Sequence, residues 1–207
     1  MPRKRSTADH EAMAQSAQEK KVLTAINRIF RERLRCETEE ELGAVCLKVA
    51  EELTGSSFGY FGELNVMGLF DTIAISNPGW EACSVPEGEA RLVIQNMPIR
   101  GIDRGTMSDG EPRIVNGAPA FFEHPEHVDM PDGHPEMTSF LGVPLKEEGK
   151  VVGMIALANK EGGYTIEDQE AVEALSGAML EALRSKRAED RIAAQTEEIL
   201  EVSTPVM

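Results

Sequence analysis

Apolar residues at Leu23, Ile26, Phe30 and Leu34 recur at steps of three and four, with Val22 and Ile29 alongside, so the spacing predicts a helix from about Ala8 to Leu34. It breaks near Cys36-Glu37. A second helix starts at Thr38, whose hydroxyl caps the first turn while Glu41 reaches back from three residues on. It runs through Leu42, Val45, Cys46 and Val49 to Leu53, and Gly55 supplies a left-handed stop. The pattern then turns to strands. Phe58 to Leu64 and Phe70 to Ser76 read as an antiparallel pair, closed by Asn77-Pro78-Gly79.

Between Glu87 and Arg104 a short helix and loop carry Leu92-Val93-Ile94 and Met97-Pro98-Ile99, after which Gly110-Glu111-Pro112 leads into a brief strand at Arg113-Ile114-Val115. The stretch 116–138 is rich in Pro, Gly and His without periodicity, the mark of a variable or functional loop. Two β-type runs, Ser139 to Leu145 and Val151 to Ala158, flank the polar turn Lys146-Glu147-Glu148-Gly149-Lys150 and predict a hairpin. A helix from Ile166 then places Val172, Leu175, Met179 and Leu183 on one face, and Ile192, Ile199 and Val202 sustain the spacing. Pro205 cannot continue a helix, so Val206-Met207 reads as the first step of a strand belonging to a further domain. The expected division is a helical arm at 1–36, one core domain at 37–184, a helical extension at 185–202 and the start of that further domain at 203–207.

The 207 residues, 41% of them hydrophobic, suffice for one domain-sized core with peripheral helices. No apolar run approaches the roughly 18 residues of a membrane span, and the start Met1-Pro2-Arg3-Lys4-Arg5 leads into polar sequence, which together predict a cytoplasmic protein without membrane partners. Cys36, Cys46 and Cys83 lack Cys-x-x-Cys spacing and read as reduced thiols. Charge is divided unevenly. The net of −15 combines nine Lys/Arg against four Asp/Glu in residues 1–35 with twelve against thirty-two in the remainder. Such a body repels nucleic acid and anionic membranes. The basic arm is either a nucleic-acid tail or a helix complementing an acidic one. Its single aromatic residue, Phe30, and the ten acidic against four basic residues of 166–202 favour the helix and exclude nucleic acid as a partner.

From about Thr38 to Ala182 the order of elements resembles a GAF domain, above all in the hairpin Ser139 to Ala158 followed by Asn159-Lys160, Gly163-Tyr164-Thr165 and Glu167-Asp168. Asn96-Met97-Pro98-Ile99-Arg100-Gly101 and Gly133-His134-Pro135 are similar to the GAF domains of bacterial two-component and stressosome sensors. That resemblance implies an α+β fold with a central antiparallel sheet of five or six strands, helices on both sides, and a small-molecule pocket under the variable loop. It also implies terminal helices that pair in a homodimer, here through Leu23, Ile26 and Phe30 and through Leu175, Met179 and Leu183. The tail 198–207 resembles the linker into the STAS domain of stressosome sensors, which implies a downstream output domain. A histidine-kinase input would instead continue into a helical hairpin with a phosphoacceptor His.

Cyclic-nucleotide-binding members carry Asn-Lys, a gap, Phe, three residues, then Asp-Glu. Here Asn159, Lys160, Tyr164 and Asp168-Gln169 match with two departures, and Lys160 with Asp168 reads as a salt bridge fastening strand to helix. Donors for a nucleotide phosphate are not evident. Tyr60, Trp80, Phe121, Phe140, Met97 and His134 are the candidate ligand-binding residues, expected to converge around the variable loop. His124, His127 and His134 lie near Glu123, Glu126 and Asp129, but the spacing is loose and no rigid element holds them, so no metal site is expected. His134 is open to two readings, a pocket or haem-ligating group and a structural histidine. Cys83, three residues after Trp80, is a redox or attachment candidate with nothing basic nearby in the sequence. No phosphate loop, Gly-x-Ser-x-Gly elbow or His-Glu-x-x-His occurs, and family members that reduce methionine sulfoxide use a pocket cysteine cluster, so an enzyme is not expected. The reading is a sensor that binds an unidentified small molecule, with a pocketless dimerisation scaffold and a haem or redox sensor as alternatives. No cofactor is required.

Overall fold

The computed structural model describes residues 7–76, 95–99, 101–117 and 136–203. Among these the elements run α1 (Thr7–Arg33), α2 (Glu39–Thr54), β1 (Phe58–Leu64), β2 (Phe70–Ile75), α3 (Ile102–Asp109), β3 (Arg113–Asn116), β4 (Ser139–Glu147), β5 (Lys150–Ala158) and α4 (Ile166–Ser203). The strands form one antiparallel sheet in the order β2-β1-β5-β4-β3. This is the expected α+β architecture with five strands. No described helix is long and apolar enough to cross a membrane.

Alternation along the strands sorts the core into two layers. Phe61, Leu141, Val143, Leu145, Ile155 and Leu157 face α1, α2 and α4 in the larger cluster, while Tyr60, Phe70, Phe140, Met154 and Val115 belong to a smaller one that includes α3. β4 and β5 are therefore buried on both sides, which is why they read as unbroken apolar runs.

Local chemistry sets the boundaries. Thr38 caps α2 by accepting from Glu41 N at 3.2 Å while the Glu41 carboxylate returns to the Thr38 amide, and Gly55 ends the helix at φ 77°. The β4–β5 turn is shorter than the five residues expected, because Lys146 and Glu147 remain in the strand and only Glu148-Gly149 turn, at φ 49° and 81°. Positive φ at both positions matches the twist of a two-residue hairpin. α3 begins only at Ile102, two residues short of where the expected helix-and-loop segment ended. It has no side-chain cap and carries Gly105 in its middle, so its pattern was faint. Residues 77–94 and 118–135, with the expected Asn77-Pro78-Gly79 turn, the Leu92-Val93-Ile94 segment and most of the variable loop, lie outside the described residues.

The helical layer corrects the assignment of the dimer stripe on α4. Leu175, Met179 and Leu183 have no exposure, since that face of α4 is consumed by the protomer's own sheet and by α1 and α2. On α1 the buried line is Ala25 and Ile29, with Ile26 half-buried, whereas Leu23 and Phe30 are 60% and 38% exposed. Tyr164 Oη meets Ser56 Oγ at 2.7 Å, and Arg187 Nε donates to Glu39 at 2.8 Å, so α2 and α4 run antiparallel. The short α1–α2 connection then sets α1 alongside α4 in the same direction, and Arg33 pairs with Glu189 at 2.7 Å. Opposite charges of arm and tail thus meet inside one chain. Beyond Arg187 every residue from Ala188 to Leu200 is exposed, a rod of roughly 20 Å at the helical rise.

The Asn159-Lys160 motif is a fastener. Asn159 accepts from Thr138 N at 2.8 Å and donates to Glu136 O at 2.7 Å, Asn116 makes two 2.8 Å bonds with the Tyr164 backbone, and Lys160 pairs with Asp168. Asp168 also accepts from Thr165 N at 2.9 Å, capping α4. Replacing Asp168 with Ala removes the cap and strands a partly buried lysine, so a loss of about 2–3 kcal/mol is expected, against about 1 kcal/mol for Thr38→Ala, which loses only a cap. Thermal denaturation of the two variants checks the ranking.

Candidate ligand site

The register of the sheet lays Tyr60, Ala156, Gly142 and Arg113 in one row across β1, β5, β4 and β3. Cross-strand partners share a face, so this row forms a floor with two small residues at its centre and two large polar ones at its ends. α3 lies over it. A Cβ on Gly142 would stand 2.9 Å from Thr106 Oγ1 and 2.8 Å from the Phe140 ring, and one on Gly105 would fall inside the Arg113 guanidinium. Helix and sheet therefore touch through a glycine on each side, and no larger residue fits at either place without a shift.

This contact is polar where the rest of the layer is apolar. Asp103 Oδ1, Thr106 Oγ1 and Arg113 Nε are buried with no hydrogen-bond partner among the described residues, although Arg113 Nη2 reaches Asp109 at 2.6 Å. A buried group left unpaired costs about 1–3 kcal/mol. Burial pushes the Asp103 carboxyl up to about 6, with a hydrogen bond from the Tyr60 hydroxyl acting to lower it, and burial together with the Asp103 charge holds Tyr60 well above the usual phenol range. Tyr60 also meets Phe70 edge to face, with ring centroids 5.9 Å apart. Phe70 in turn exchanges backbone bonds of 2.9 Å with Met97.

Of the six residues expected to form the pocket, Tyr60, Met97 and Phe140 come together on this layer. Trp80, Phe121 and His134 lie outside the described residues, as do Cys83, His124 and His127. Asp103, Thr106, Arg113 and the two glycines were missed. Their signal is positional, because the row exists only once the strand register is known.

Two concavities, both away from α3, are already satisfied internally. A cleft of about 590 Å³ at the sheet's end is lined by Ser57, Asn116, Ser139, Asn159 and Lys160, whose polar atoms hold the fastener together. A second, of about 760 Å³, runs along β2 beside Arg187, which Glu39 and Glu63 neutralise. Among the described residues no group of three or more His, Cys, Asp or Glu is placed to hold a metal. Burial pushes the Cys46 thiol up to about 12, and burial with Glu41 and Glu32 raises Cys36, so both stay protonated at neutral pH.

Asp103 has a consequence for stability. A carboxyl whose folded pKa lies above its unfolded value makes the native state bind more protons, so its contribution falls as pH rises from about 4 to about 6. Asp103→Asn removes that penalty. Its stability relative to the parent is expected to be about 2 kcal/mol more favourable at pH 7.5 than at pH 4.5, read from denaturation midpoints at both pH values. A constant difference contradicts a desolvated carboxylate.

Compared with curated proteins, the sequence finds no match. Solved structures do match in fold. The GAF domain of a phosphoenolpyruvate-protein phosphotransferase from Coxiella burnetii aligns with TM-score 0.65 at 17% identity, over 82% of this chain and 96% of that one. The free methionine-R-sulfoxide reductase of Neisseria meningitidis, in complex with its substrate, aligns with TM-score 0.58 at 16% identity, over 81% and 91%. The A. aeolicus nlh2 GAF domain in an inactive state gives 0.57 at 13%, over 82% and 99%. The family model for the GAF domain matches residues 36–184, and the chain therefore belongs to the GAF domain family, a family of sensory modules found in histidine kinases and other sensors.

Proposed function

We propose that this chain is a sensory module in which a small molecule held between the sheet and α3 biases the long helix α4 and the output domain that follows it. The observation that carries this reading is the set of three unpartnered polar atoms at the α3 contact, where the described residues hold one other such atom, Glu51 Oε1. An interface with such a defect is closed at a cost that a ligand with matching groups removes. The path to the output is short. Gly142 and Phe140 face α3, while their strand neighbours Leu141 and Val143 belong to the core cluster of Leu175 and Met179. Displacement of α3 is thus felt through the thickness of one strand.

The output side rests on exposed apolar residues. Leu23 and Phe30 on α1, with Ile192 and Ile199 on α4, suit a homodimer of parallel terminal helices, and Ile192 and Ile199 stand one heptad apart. The likeness of residues 198–207 to a stressosome linker favours a STAS-type output, with a histidine-kinase core as the alternative. Cys36 and Cys46 lie outside the α3 cluster, which weighs against thiol catalysis by either.

Native mass spectrometry of the purified protein tests the reading, with a dimer retaining a small molecule as the expected species. A bare monomer that no member of a metabolite library stabilises in a thermal-shift screen would rule it out. The two stripes are separable by mutation. Leu23→Ser with Phe30→Ser is expected to give a folded monomer by sedimentation at nearly unchanged protomer stability, whereas Leu175→Ala should cost about 2–5 kcal/mol whatever the assembly state. A double variant that remains dimeric removes α1 from the interface.

A further inference from the structure

Granted that a small molecule binds under α3, we infer that it is an amine: an apolar body carrying a protonated nitrogen that donates to Asp103, with Thr106 as its second polar contact. The chemistry follows from what the contact offers and what it lacks. It offers an acceptor, since Asp103 Oδ1 is buried with no partner among the described residues. One helical turn on, Thr106 Oγ1 is equally unpaired, and its residue is fully buried. Residues three apart on a helix sit side by side, so one head group of modest size reaches both.

What the contact lacks, among the described residues, is a cation whose charge is free for an anionic ligand. Arg113, the cationic residue of the row, has Nη2 ion-paired with Asp109 and packs against Gly105, which leaves its Nε–H as a single unpaired donor without a free charge. A carboxylate or phosphate entering here would meet the Asp103 charge in a medium too apolar to screen it. The surrounding surface is apolar and rich in thioethers, with Met97, Met107 and Met154 beside Phe70 and Phe140, and it suits a hydrophobic body rather than a polar one. A neutral alcohol supplies one hydrogen bond but leaves the buried charge uncompensated. A protonated amine supplies the bond and the counter-charge together, and charge-assisted bonds in such places are roughly twice as strong as neutral ones. The amine is therefore expected to bind about tenfold more tightly than its isosteric alcohol.

The test uses three probes with one aromatic body: phenethylamine, 2-phenylethanol and 3-phenylpropionate. Each is titrated into the ¹⁵N-labelled full chain at pH 7.5 while the amides of Gly105, Thr106, Gly142 and Ala156 are followed. The expected result is a shift of these amides by the amine at about one-tenth of the alcohol's concentration, with no saturable shift by the propionate. In Asp103→Asn, whose spectrum reports its own folding, the amine should lose that advantage. Alcohol or propionate binding as tightly as the amine, or an amine preference that survives in Asp103→Asn, overturns the amine assignment and leaves the site standing. If none of the three probes moves these amides, the site under α3 falls and the amine assignment falls with it.

Discussion

The structure depends on a sheet whose two central strands must be covered on both faces. β4 and β5 expose almost nothing from Phe140 to Leu145 and from Gly153 to Ala158, so neither layer is optional for stability. The layers are nonetheless unequal. One is a contiguous apolar core in which three helices contribute Ile29, Leu42, Leu47, Leu175 and Met179 at no more than 1% exposure. Among the described residues the other is built on one eight-residue helix, α3, with a glycine at the point of contact on each side. Ordering a short helix offsets little of its conformational entropy by itself, so α3 keeps its place through packing and the Arg113–Asp109 pair.

That inequality assigns the two faces different roles. Removing a side chain from the α1–α2–α4 face leaves a cavity in a close-packed region, which stiffens the link between sheet and α4 and makes it poor at absorbing change. The α3 face holds its defects already, in the form of Asp103, Thr106 and Arg113 Nε. Such a contact lies nearer the low-stability end of the molecule, where ligand-responsive elements are drawn from. A ligand on that face and a readout on the other is the arrangement in which a small binding energy moves the weak layer without unfolding the strong one.

Much of this was legible in the sequence where the physics is local. The Thr38-Glu41 capping box, the Gly55 stop, the β1 boundaries and the start of α4 at Ile166 all follow from residues within a turn of one another. The Lys160–Asp168 pair was readable for the same reason, at a spacing of eight residues. What stayed hidden depends on long-range register. Gly142 is one glycine among eighteen until its pairing places it between Ala156 and Arg113. Asp103 looked like a loop residue because Gly101 and Gly105 on either side weaken the helical pattern. The stripe on α1 was read from its period alone, and of its three residues Leu23 and Phe30 are exposed and Ile26 is half-buried. Leu23 and Phe30 fit the helical period as well as Ala25 and Ile29 do, and periodicity alone cannot say which stripe meets the core.

The tail of α4 carries the last step of the argument. From Ala188 to Leu200 every residue is exposed, with the Arg33–Glu189 and Lys186–Asp190 pairs at the base of the segment. An isolated helix of that length is marginal in water, so it persists by continuity with the docked part of α4, whose register is fixed by Arg187 against Glu39 and Glu63. Those two carboxylates belong to different elements, the first turn of α2 and the strand β1. Any rotation of α4 about its axis must break one contact before the other, because a planar guanidinium cannot follow two diverging acceptors. The clamp therefore resists rotation of the helix. In the proposed sensor, a rod whose angle is held by such a clamp would pass on a displacement of the sheet as a change in orientation rather than as a bend, the form of signal that the proposed output domain would read.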